Sequence, residues 1–272
     1  MSAPTPSTRP NTLTALPCRV HAVLFDFAGT LFDDRALRDV HLQQLRFVAD
    51  AAGVTADDQQ LRAAYRTGMG VGFRTVAIRP AYLHRTLFGA AFSAMAEALG
   101  GHIDAATERE SVDRQYRATI QFAELRPGCL TTLAALRSAG IHVQIVSNID
   151  DEQMLPMIER LGLGDVIDAA TSSESAGSCK PDAAIYRLAL ANADVEPGAA
   201  LFVGDSTAHD IVGPAAVGLQ TAWLAPRRDA DPGDARPDSV IDSLTDVLTL
   251  VGLTGLTAPS GGETPSSGET SR

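Results

Sequence analysis

Lysine is nearly absent from this 272-residue chain: Lys180 is the only one, and every other basic residue is an arginine. Alanine and glycine are abundant by contrast, a combination typical of coding bias in a GC-rich bacterial genome. Positive charge is also scarce overall, with 22 basic against 33 acidic residues and a net charge of −11. A protein that tracks nucleic-acid phosphates needs a basic surface, so this balance argues against that class of partner.

Cysteine is scarce too, and the three present form no C-x-x-C pair: Cys18, Cys129 and Cys179. A disulfide framework or a zinc site is therefore not expected, and a reducing cytoplasm is the predicted location. No run of 18 apolar residues occurs, which argues against a membrane-spanning helix. The first 18 residues contain no apolar segment of the kind that a secretory signal needs.

Four common catalytic signatures are missing as well, namely those of P-loop, dinucleotide-binding, nucleophile-elbow and zinc-protease sites. The remaining composition, with 45% hydrophobic and 20% charged residues, is that of a globular protein. The length fits two domains, or one domain with a large insert.

Both ends of the chain are rich in small and polar residues, and we expect the segments 1–18 and 257–272 to be unstructured. Between them, a short apolar run at 20–27 predicts a buried strand. Residues 34–125 then carry only helical patterns, interrupted by a predicted flexible loop at the glycine-rich stretch 68–72. We therefore expect an all-helical insert at 34–125.

From residue 126 onward, strands and helices alternate, which predicts βαβ units and a parallel sheet. The predicted strands lie at 141–146, 169–172, 200–203, 221–224 and 240–241. The predicted helices lie at 130–139, 151–161, 182–191 and 211–217. The expected fold class is therefore α/β, a doubly wound parallel sheet formed by 19–33 and 126–256, with the all-helical insert between these two parts.

Polar residues follow the predicted strands, at the edge where doubly wound sheets bind their ligands. They are Asp26, Thr30, Ser147, Asn148, Asp205, Ser206 and Asp210. Carboxylates and hydroxyl groups in one crevice suit Mg²⁺, which prefers carboxylates together with water and substrate phosphate. Lys180 beside them would offset negative charge and hold a phosphate. Thr30 and Ser206 as turn or cap residues, and Asn148 as a helix N-cap, stay open as structural alternatives.

These residues fall into four motifs whose order resembles the haloacid dehalogenase superfamily, most of whose members are phosphatases. Motif one is DFAGTLF at 26–32, motif two is SN at 147–148, motif three is KPD at 180–182, and motif four is GDSTAHD at 204–210. The resemblance spans the chain from residue 20 to about residue 250. It implies a Rossmann-like core and a helical cap that closes over the site and selects the substrate.

The resemblance also implies a role for each site residue. Asp26 would be the catalytic nucleophile that becomes an aspartyl phosphate. The residues implied to bind the phosphoryl oxygens are Thr30, Ser147, Asn148 and Lys180. The ligands implied for Mg²⁺ are Asp26, Asp205, Asp210 and the backbone carbonyl of Ala28. The metal and the lysine would stabilise the negative charge of the transition state.

Ala28 departs from the pattern of the family's phosphatases, which usually carry a second aspartate at this position. That aspartate protonates the leaving group and then activates water, and such help is typically worth ~10²–10⁴-fold in rate. Because the implied metal ligand here is a main-chain carbonyl, alanine would keep the metal site and remove only the proton relay.

Three interpretations of Ala28 stay open. In the first interpretation, the chain is a phosphatase that moves protons through another group, and His209 and the cap residue His84 are the candidates. Alternatively, it cleaves a bond that needs no acid, as haloacid dehalogenases do, or it is a weakly catalytic relative that binds or regulates. Phosphonoacetaldehyde hydrolases also have alanine there, but they need a cap lysine that this chain lacks. Dehalogenases lack the Gly-Asp-Ser pattern at 204–206, so we expect a phosphatase.

The predicted cap is large enough to enclose a small molecule rather than a phosphorylated protein. We therefore expect Mg²⁺-dependent removal of phosphate from a small metabolite, such as a sugar or cyclitol phosphate. Arg66 and Arg74 flank the glycine-rich stretch and are candidates for contact with an anionic substrate. In GC-rich bacteria such phosphatases often belong to specialised metabolism, an association at the level of the family only.

Overall fold

The computed structural model of this chain describes residues 13–227 and 230–253. In these ranges the strands are β1 (Ala22–Phe25), β2 (Phe32–Asp33), β3 (Glu124–Leu125), β4 (His142–Ser147), β5 (Ala169–Ser172), β6 (Ala200–Gly204), β7 (Gln220–Leu224) and β8 (Ser239–Ile241). The helices are α1 (Arg38–Ala51), α2 (Asp58–Thr75), α3 (His84–Ala98), α4 (Ala105–Phe122), α5 (Cys129–Ser138), α6 (Asp151–Arg160), α7 (Ser173–Ala176), α8 (Ala183–Ala193), α9 (Gly213–Ala215) and α10 (Asp246–Leu250).

Six strands form one parallel sheet in the order β5–β4–β1–β6–β7–β8. β1 lies inside the sheet, where Ala22 is aligned with His142 of β4 and with Ala200 of β6. All four residues of β1 are apolar and buried, as expected for a strand that is covered on both faces. The predicted α/β class with a parallel sheet is confirmed, and the carboxyl ends of β1, β4 and β6 meet at one edge.

Alternate residues of β1 belong to two apolar clusters, one on each face of the sheet. Val23 and Phe25 pack in a cluster that includes Leu133 of α5. Leu24 packs in a second cluster, which includes Ile185 of α8. Helices therefore cover both faces of the sheet, as in a doubly wound fold.

The helices α1–α4, which we call the helical insert, surround a third apolar cluster that includes Leu45, Phe92 and Met95. The chain enters and leaves the insert through β2 and β3, an antiparallel pair in which Phe32 is aligned with Leu125. The expectation of helix alone over 34–125 is wrong at its last two residues, because the segments that enter and leave the insert pair their backbones there.

The glycine-rich stretch 68–72 is helical, so the predicted loop is wrong. It lies inside α2, where a Cβ on Gly68 would come within 2.2 Å of the Ala91 carbonyl oxygen of α3. A Cβ on Gly72 would come within 3.0 Å of the Leu87 carbonyl oxygen. Glycine costs a helix about 1 kcal/mol. Here the close approach of α2 to α3 requires it, and sequence periodicity does not reveal such a contact.

The segment before β1 is partly ordered, in contrast to the expectation of an unstructured stretch through residue 18. The Leu16 backbone N–H donates a hydrogen bond to the Leu250 carbonyl at 2.9 Å. Leu13 and Leu16 also pack against the cluster on the α5 face of the sheet. Residues 1–12 of the predicted N-terminal tail and the whole stretch 257–272 lie outside the described residues.

A π-helical turn at Thr207–Val212 and the short α9 replace the single helix predicted at 211–217. The turn begins early because Ser206 caps it, accepting a hydrogen bond from the His209 backbone N–H at 3.4 Å. The Ser206 N–H in turn donates to Asp210 Oδ2 at 2.9 Å. The turn therefore holds the Asp210 carboxylate beside the end of β6.

The longest helices, α2 and α4, have 18 residues each. Among the described residues, no helix combines the length and the apolar character needed to cross a bilayer.

Candidate active site

Asp26 directly follows β1, and its carboxylate lies in a polar cluster at the carboxyl edge of the sheet. Its backbone N–H donates to the Val203 carbonyl of β6 at 2.9 Å, which fixes the start of the turn. Thr30 Oγ1 donates to Asp26 Oδ2 at 3.1 Å, and Ser147 Oγ donates to Asp26 Oδ1 at 3.1 Å. Buried hydroxyl groups thus orient both oxygens of a carboxylate that is only 6% exposed.

Lys180 lies between two carboxylates. Its Nζ is 2.7 Å from Asp26 Oδ1 and 2.7 Å from Asp210 Oδ1, and the residue is buried. Burial opposes the charged form of Lys180, but the charges of Asp210 and Asp26 outweigh it and raise the pKa above its ordinary value. The single lysine of the chain is therefore held as a cation at this point.

Asn148 positions this lysine. Its Nδ2 donates to the Lys180 carbonyl at 2.9 Å, and the Lys180 backbone N–H donates to its Oδ1 at 2.6 Å. Both polar atoms of the amide are therefore engaged by the lysine backbone, whereas the resemblance to the family implies a contact with phosphoryl oxygens. The helix-cap alternative is wrong, because the N-cap of α6 is Asp150.

Three carboxylates meet beside Lys180. One oxygen from each of Asp26, Asp205 and Asp210 lies within 4.8 Å of the others. Two glycines make room for them: a Cβ on Gly29 would come within 2.6 Å of Asp205 Oδ2, and one on Gly204 within 2.3 Å of Asp210 Oδ2. The glycines of motifs one and four therefore have a steric role in building this cluster.

The cluster carries more negative charge than the lysine neutralises. The pKa of Asp210 is raised to about 7. Burial has the largest effect and raises it, the charge of Lys180 lowers it, and the charge of Asp26 raises it. With all three carboxylates ionised and one ammonium, two net negative charges lie together at the edge of the sheet, where Asp26 and Asp210 are buried. A divalent cation balances this charge and prefers oxygen ligands of this kind, so these residues fit Mg²⁺.

A cavity of about 430 Å³ lies between the sheet edge and the helical insert. Ala28 lines it from the core side, and Arg62, Tyr65 and His84 are among the residues that line it from the insert. Arg66 and Arg74, the arginines singled out from the sequence, are not among its lining residues, whereas Arg38 and Arg62 are. An α-helix completes one turn every 3.6 residues, so neighbouring residues point in different directions. A sequence-based prediction that misplaces the inner face of a helix by one residue therefore selects the wrong arginine.

His209 and His84, the two candidates for proton transfer, line different spaces. His84 lines the same cavity as Ala28. His209 lines a second opening of about 440 Å³ together with Tyr82 and Lys180. Burial and the charge of Lys180 lower the pKa of His209, while Asp26 raises it.

Asp150 is a buried residue that the sequence patterns do not single out. Its Oδ1 accepts from the His84 backbone N–H at 2.8 Å, and its Oδ2 accepts from the Arg85 N–H at 2.7 Å and from the Tyr116 hydroxyl at 2.9 Å. A core carboxylate therefore takes the first N–H groups of α3, where an anion is favourable. Only its place just after motif two could have suggested it.

A family model described as a haloacid dehalogenase-like hydrolase matches residues 20–218. Ribulose-1,5-bisphosphate 5-phosphatase of Halopiger xanaduensis is 32% identical over 147 residues, 51% of this chain and 62% of that protein. (S)-2-haloacid dehalogenase 1 of Pseudomonas sp. is 27% identical over 208 residues, 75% of this chain and 84% of that protein. The chain spans about half the length of several other curated relatives that it matches.

Among solved structures, the magnesium-bound putative HAD-hydrolase YfnB from Bacillus subtilis is similar with a TM-score of 0.71. The two sequences are 20% identical, and the match covers 86% of this chain and 100% of that chain. At this identity the likeness shows a shared fold.

Proposed function

The chain belongs to the haloacid dehalogenase-like hydrolases, and on that premise we propose that it is a Mg²⁺-dependent phosphatase of a small phosphorylated metabolite. One observation carries the proposal: the Lys180 ammonium lies 2.7 Å from both Asp26 and Asp210, beside a third carboxylate. This arrangement joins a nucleophile, a phosphate-binding cation and a set of metal ligands at one point.

Asp26 is the nucleophile in this proposal. Its carboxylate attacks phosphorus, and the bond to the leaving oxygen breaks, which leaves an aspartyl phosphate for water to hydrolyse. In the structure, Ser147 and Lys180 donate hydrogen bonds to Asp26 Oδ1. When substrate binds, the same two donors are within reach of the phosphoryl oxygens and stabilise the charge that develops on them.

Asp26, Asp205, Asp210 and the backbone carbonyl of Ala28 hold Mg²⁺ in this proposal. When bound, the metal draws negative charge away from the phosphoryl oxygens. Lys180 and the buried surroundings act in the same direction, because a fixed positive charge has a larger effect where water is excluded.

The cavity between core and insert supports a small substrate, since about 430 Å³ lies within the ~300–1,000 Å³ usual for small-molecule sites. Its lining mixes aromatic side chains with amides, such as Gln115 and Gln153. Amides suit hydroxyl groups, which is the basis for proposing a sugar or cyclitol phosphate. The four helices of the insert act as the cap in this proposal. Cytoplasmic location and specialised metabolism are predictions from the sequence alone.

A panel of phosphate monoesters assayed with and without Mg²⁺ tests the proposal. We expect release of phosphate from sugar phosphates, dependence on Mg²⁺ and complete loss of turnover in Asp26→Asn, because an amide cannot form the aspartyl phosphate. Turnover that persists in Asp26→Asn, or a folded wild type that hydrolyses no monoester in the panel, would contradict it.

Ala28 favours one alternative, hydrolysis of a carbon–halogen bond, because a halide leaves without a proton. In that case, chloride release from 2-chloropropionate would proceed without added metal. If neither phosphate nor chloride is released by the folded protein, a binding or regulatory role becomes the better account.

A further inference from the structure

A buried polar atom without a partner lies beside the position that lacks the usual aspartate. Among the described residues, three buried side-chain polar atoms have no hydrogen-bond partner: His84 Nε2, Thr132 Oγ1 and Gln220 Oε1. Of these three residues, His84 alone lines the cavity that Ala28 also lines. A buried polar atom is costly unless something bonds to it, so His84 Nε2 points to a ligand that enters this cavity.

The His84 ring is held from several sides. The backbone N–H of this residue donates to Asp150 Oδ1 at 2.8 Å, which ties the first turn of α3 to the core. Its imidazole stacks on Tyr82 with ring centroids 5.4 Å apart, and it meets Phe88 edge-on at 5.9 Å. The imidazole of this cavity-lining residue therefore has a fixed position.

The cavity that His84 lines reaches the loop of the proposed nucleophile. Ala28, two residues after Asp26, lines it, and so does Asn148, whose Nδ2 donates to the Lys180 carbonyl at 2.9 Å. The imidazole therefore shares one space with residues that adjoin Asp26 and Lys180.

The surroundings of His84 lower the pKa of its imidazole overall. Burial lowers the pKa of His84, Asp150 raises it, and His209 lowers it again. These two residues are the titratable groups that act on it. A lowered pKa makes the imidazolium a stronger acid and favours the neutral form that accepts a proton from water.

We propose that His84 carries the proton that position 28 cannot carry, so that the cap rather than motif one supplies the acid and the base. This inference rests on the proposed function. As Asp26 attacks phosphorus and the bond to the leaving oxygen breaks, that oxygen takes the proton of the His84 imidazolium and departs as an alcohol. Water then attacks the aspartyl phosphate, His84 takes one proton of that water, and phosphate and free Asp26 are released.

Benzyl phosphate and 4-nitrophenyl phosphate test this step, because they are similar in size and differ in how much the leaving oxygen needs a proton. In His84→Ala we expect kcat/KM for benzyl phosphate to fall by about 10²-fold or more, and kcat/KM for 4-nitrophenyl phosphate to change little. Because the neutral imidazole also activates water, kcat falls for both esters. A burst of one 4-nitrophenolate per active site should then precede slow turnover.

Three further variants make the test specific. His84→Gln keeps a polar side chain and should behave as His84→Ala, because an amide does not carry a proton. Ala28→Asp in the His84→Ala background should restore much of the benzyl phosphate activity. His41 lines the same cavity but has a partner, with Nδ1 at 3.3 Å from Gln115 Oε1, so His41→Ala should leave the ratio of the two kcat/KM values unchanged.

An unchanged ratio and no burst in a folded His84→Ala or His84→Gln protein would overturn the inference. The proposed function would survive that result, provided that 4-nitrophenyl phosphate turnover is still lost in Asp26→Asn. If folded wild type turns over neither ester, both the proposed function and this inference are wrong.

Discussion

At the scale of one residue, Lys180 is the only lysine of the chain and lies at the point where a buried positive charge is needed. A buried ammonium is costly, and two carboxylates at 2.7 Å offset that cost. Neither an arginine nor any other residue of this chain offers a compact point charge of this kind. The same arrangement leaves Asp210 with a pKa raised to about 7 by burial, which makes it sensitive to what binds beside it.

Mg²⁺ binding should therefore depend on pH. Below a pKa of about 7 a proton competes with the cation for Asp210, so Mg²⁺ affinity falls as the pH falls, by up to about tenfold per unit. Calorimetry at about pH 6 and about pH 8 measures this difference, and titrations in two buffers count the protons released. Asp205→Asn, which removes a ligand charge, should weaken binding at both pH values. Affinity that is independent of pH, or unaffected in Asp205→Asn, would remove these residues from the metal site.

At the scale of elements, the contact between α2 and α3 depends on a glycine. Gly68→Ala gains helix propensity of about 1 kcal/mol, but it drives a Cβ into the Ala91 carbonyl, where crowding costs typically ~1–3 kcal/mol. We therefore expect a net loss in the free energy of unfolding, measured by chemical denaturation.

Gly70→Ala is the matched control in the same helix. The nearest atom to its added Cβ is Arg74 Nη1 at 3.3 Å, the end of a flexible side chain. This variant should be neutral or more stable by up to about 1 kcal/mol. Equal stability of the two variants would mean that α2 and α3 do not pack as closely as described.

Strand and helix patterns predicted the sheet because its central strands β1 and β6 are short apolar runs and helices alternate with the strands that follow. Even the partly polar β5 at Ala169–Ser172 coincides with its predicted range. The motifs also led to Asp26, Lys180 and the two acidic residues of motif four, since residues that follow parallel strands meet at one edge. The glycine-rich helix, the Asp150 contacts and Arg62 could not be predicted in this way. Each depends on how the insert is oriented on the core, and no local pattern encodes that orientation.

At the scale of the whole molecule, Asp150 joins the insert to the core. Its carboxylate accepts three hydrogen bonds from α3 and α4, and it is 2% exposed. Asp150→Ala leaves these donors without their acceptor, and hydrogen bonds to a charged group contribute about 1.5–3 kcal/mol each. We expect the free energy of unfolding to fall by at least about 2 kcal/mol, and the amide of His84 to exchange hydrogen faster.

Glu152→Ala is the control for this prediction. Glu152 also connects the core to the insert, through Arg85 Nη2 at 2.8 Å, but its side chain is half-exposed. Exposed ion pairs contribute about 0–1 kcal/mol, so this variant should be far less affected. If Asp150→Ala were as stable as Glu152→Ala, the two parts of the molecule would not be joined at this carboxylate.

Phosphoryl transfer to Asp26 is the central step of the proposed function, and acid quenching during turnover tests this step most directly. A phosphate monoester that wild type hydrolyses is mixed with enzyme and Mg²⁺ and quenched within one turnover, and the peptide that contains Asp26 is analysed by mass spectrometry. We predict the mass of one added phosphoryl group on Asp26, its disappearance as substrate is consumed, and its absence from Asp26→Asn. Rapid turnover with no label on Asp26 at any quench time, or with undiminished rate in Asp26→Asn, would contradict the account.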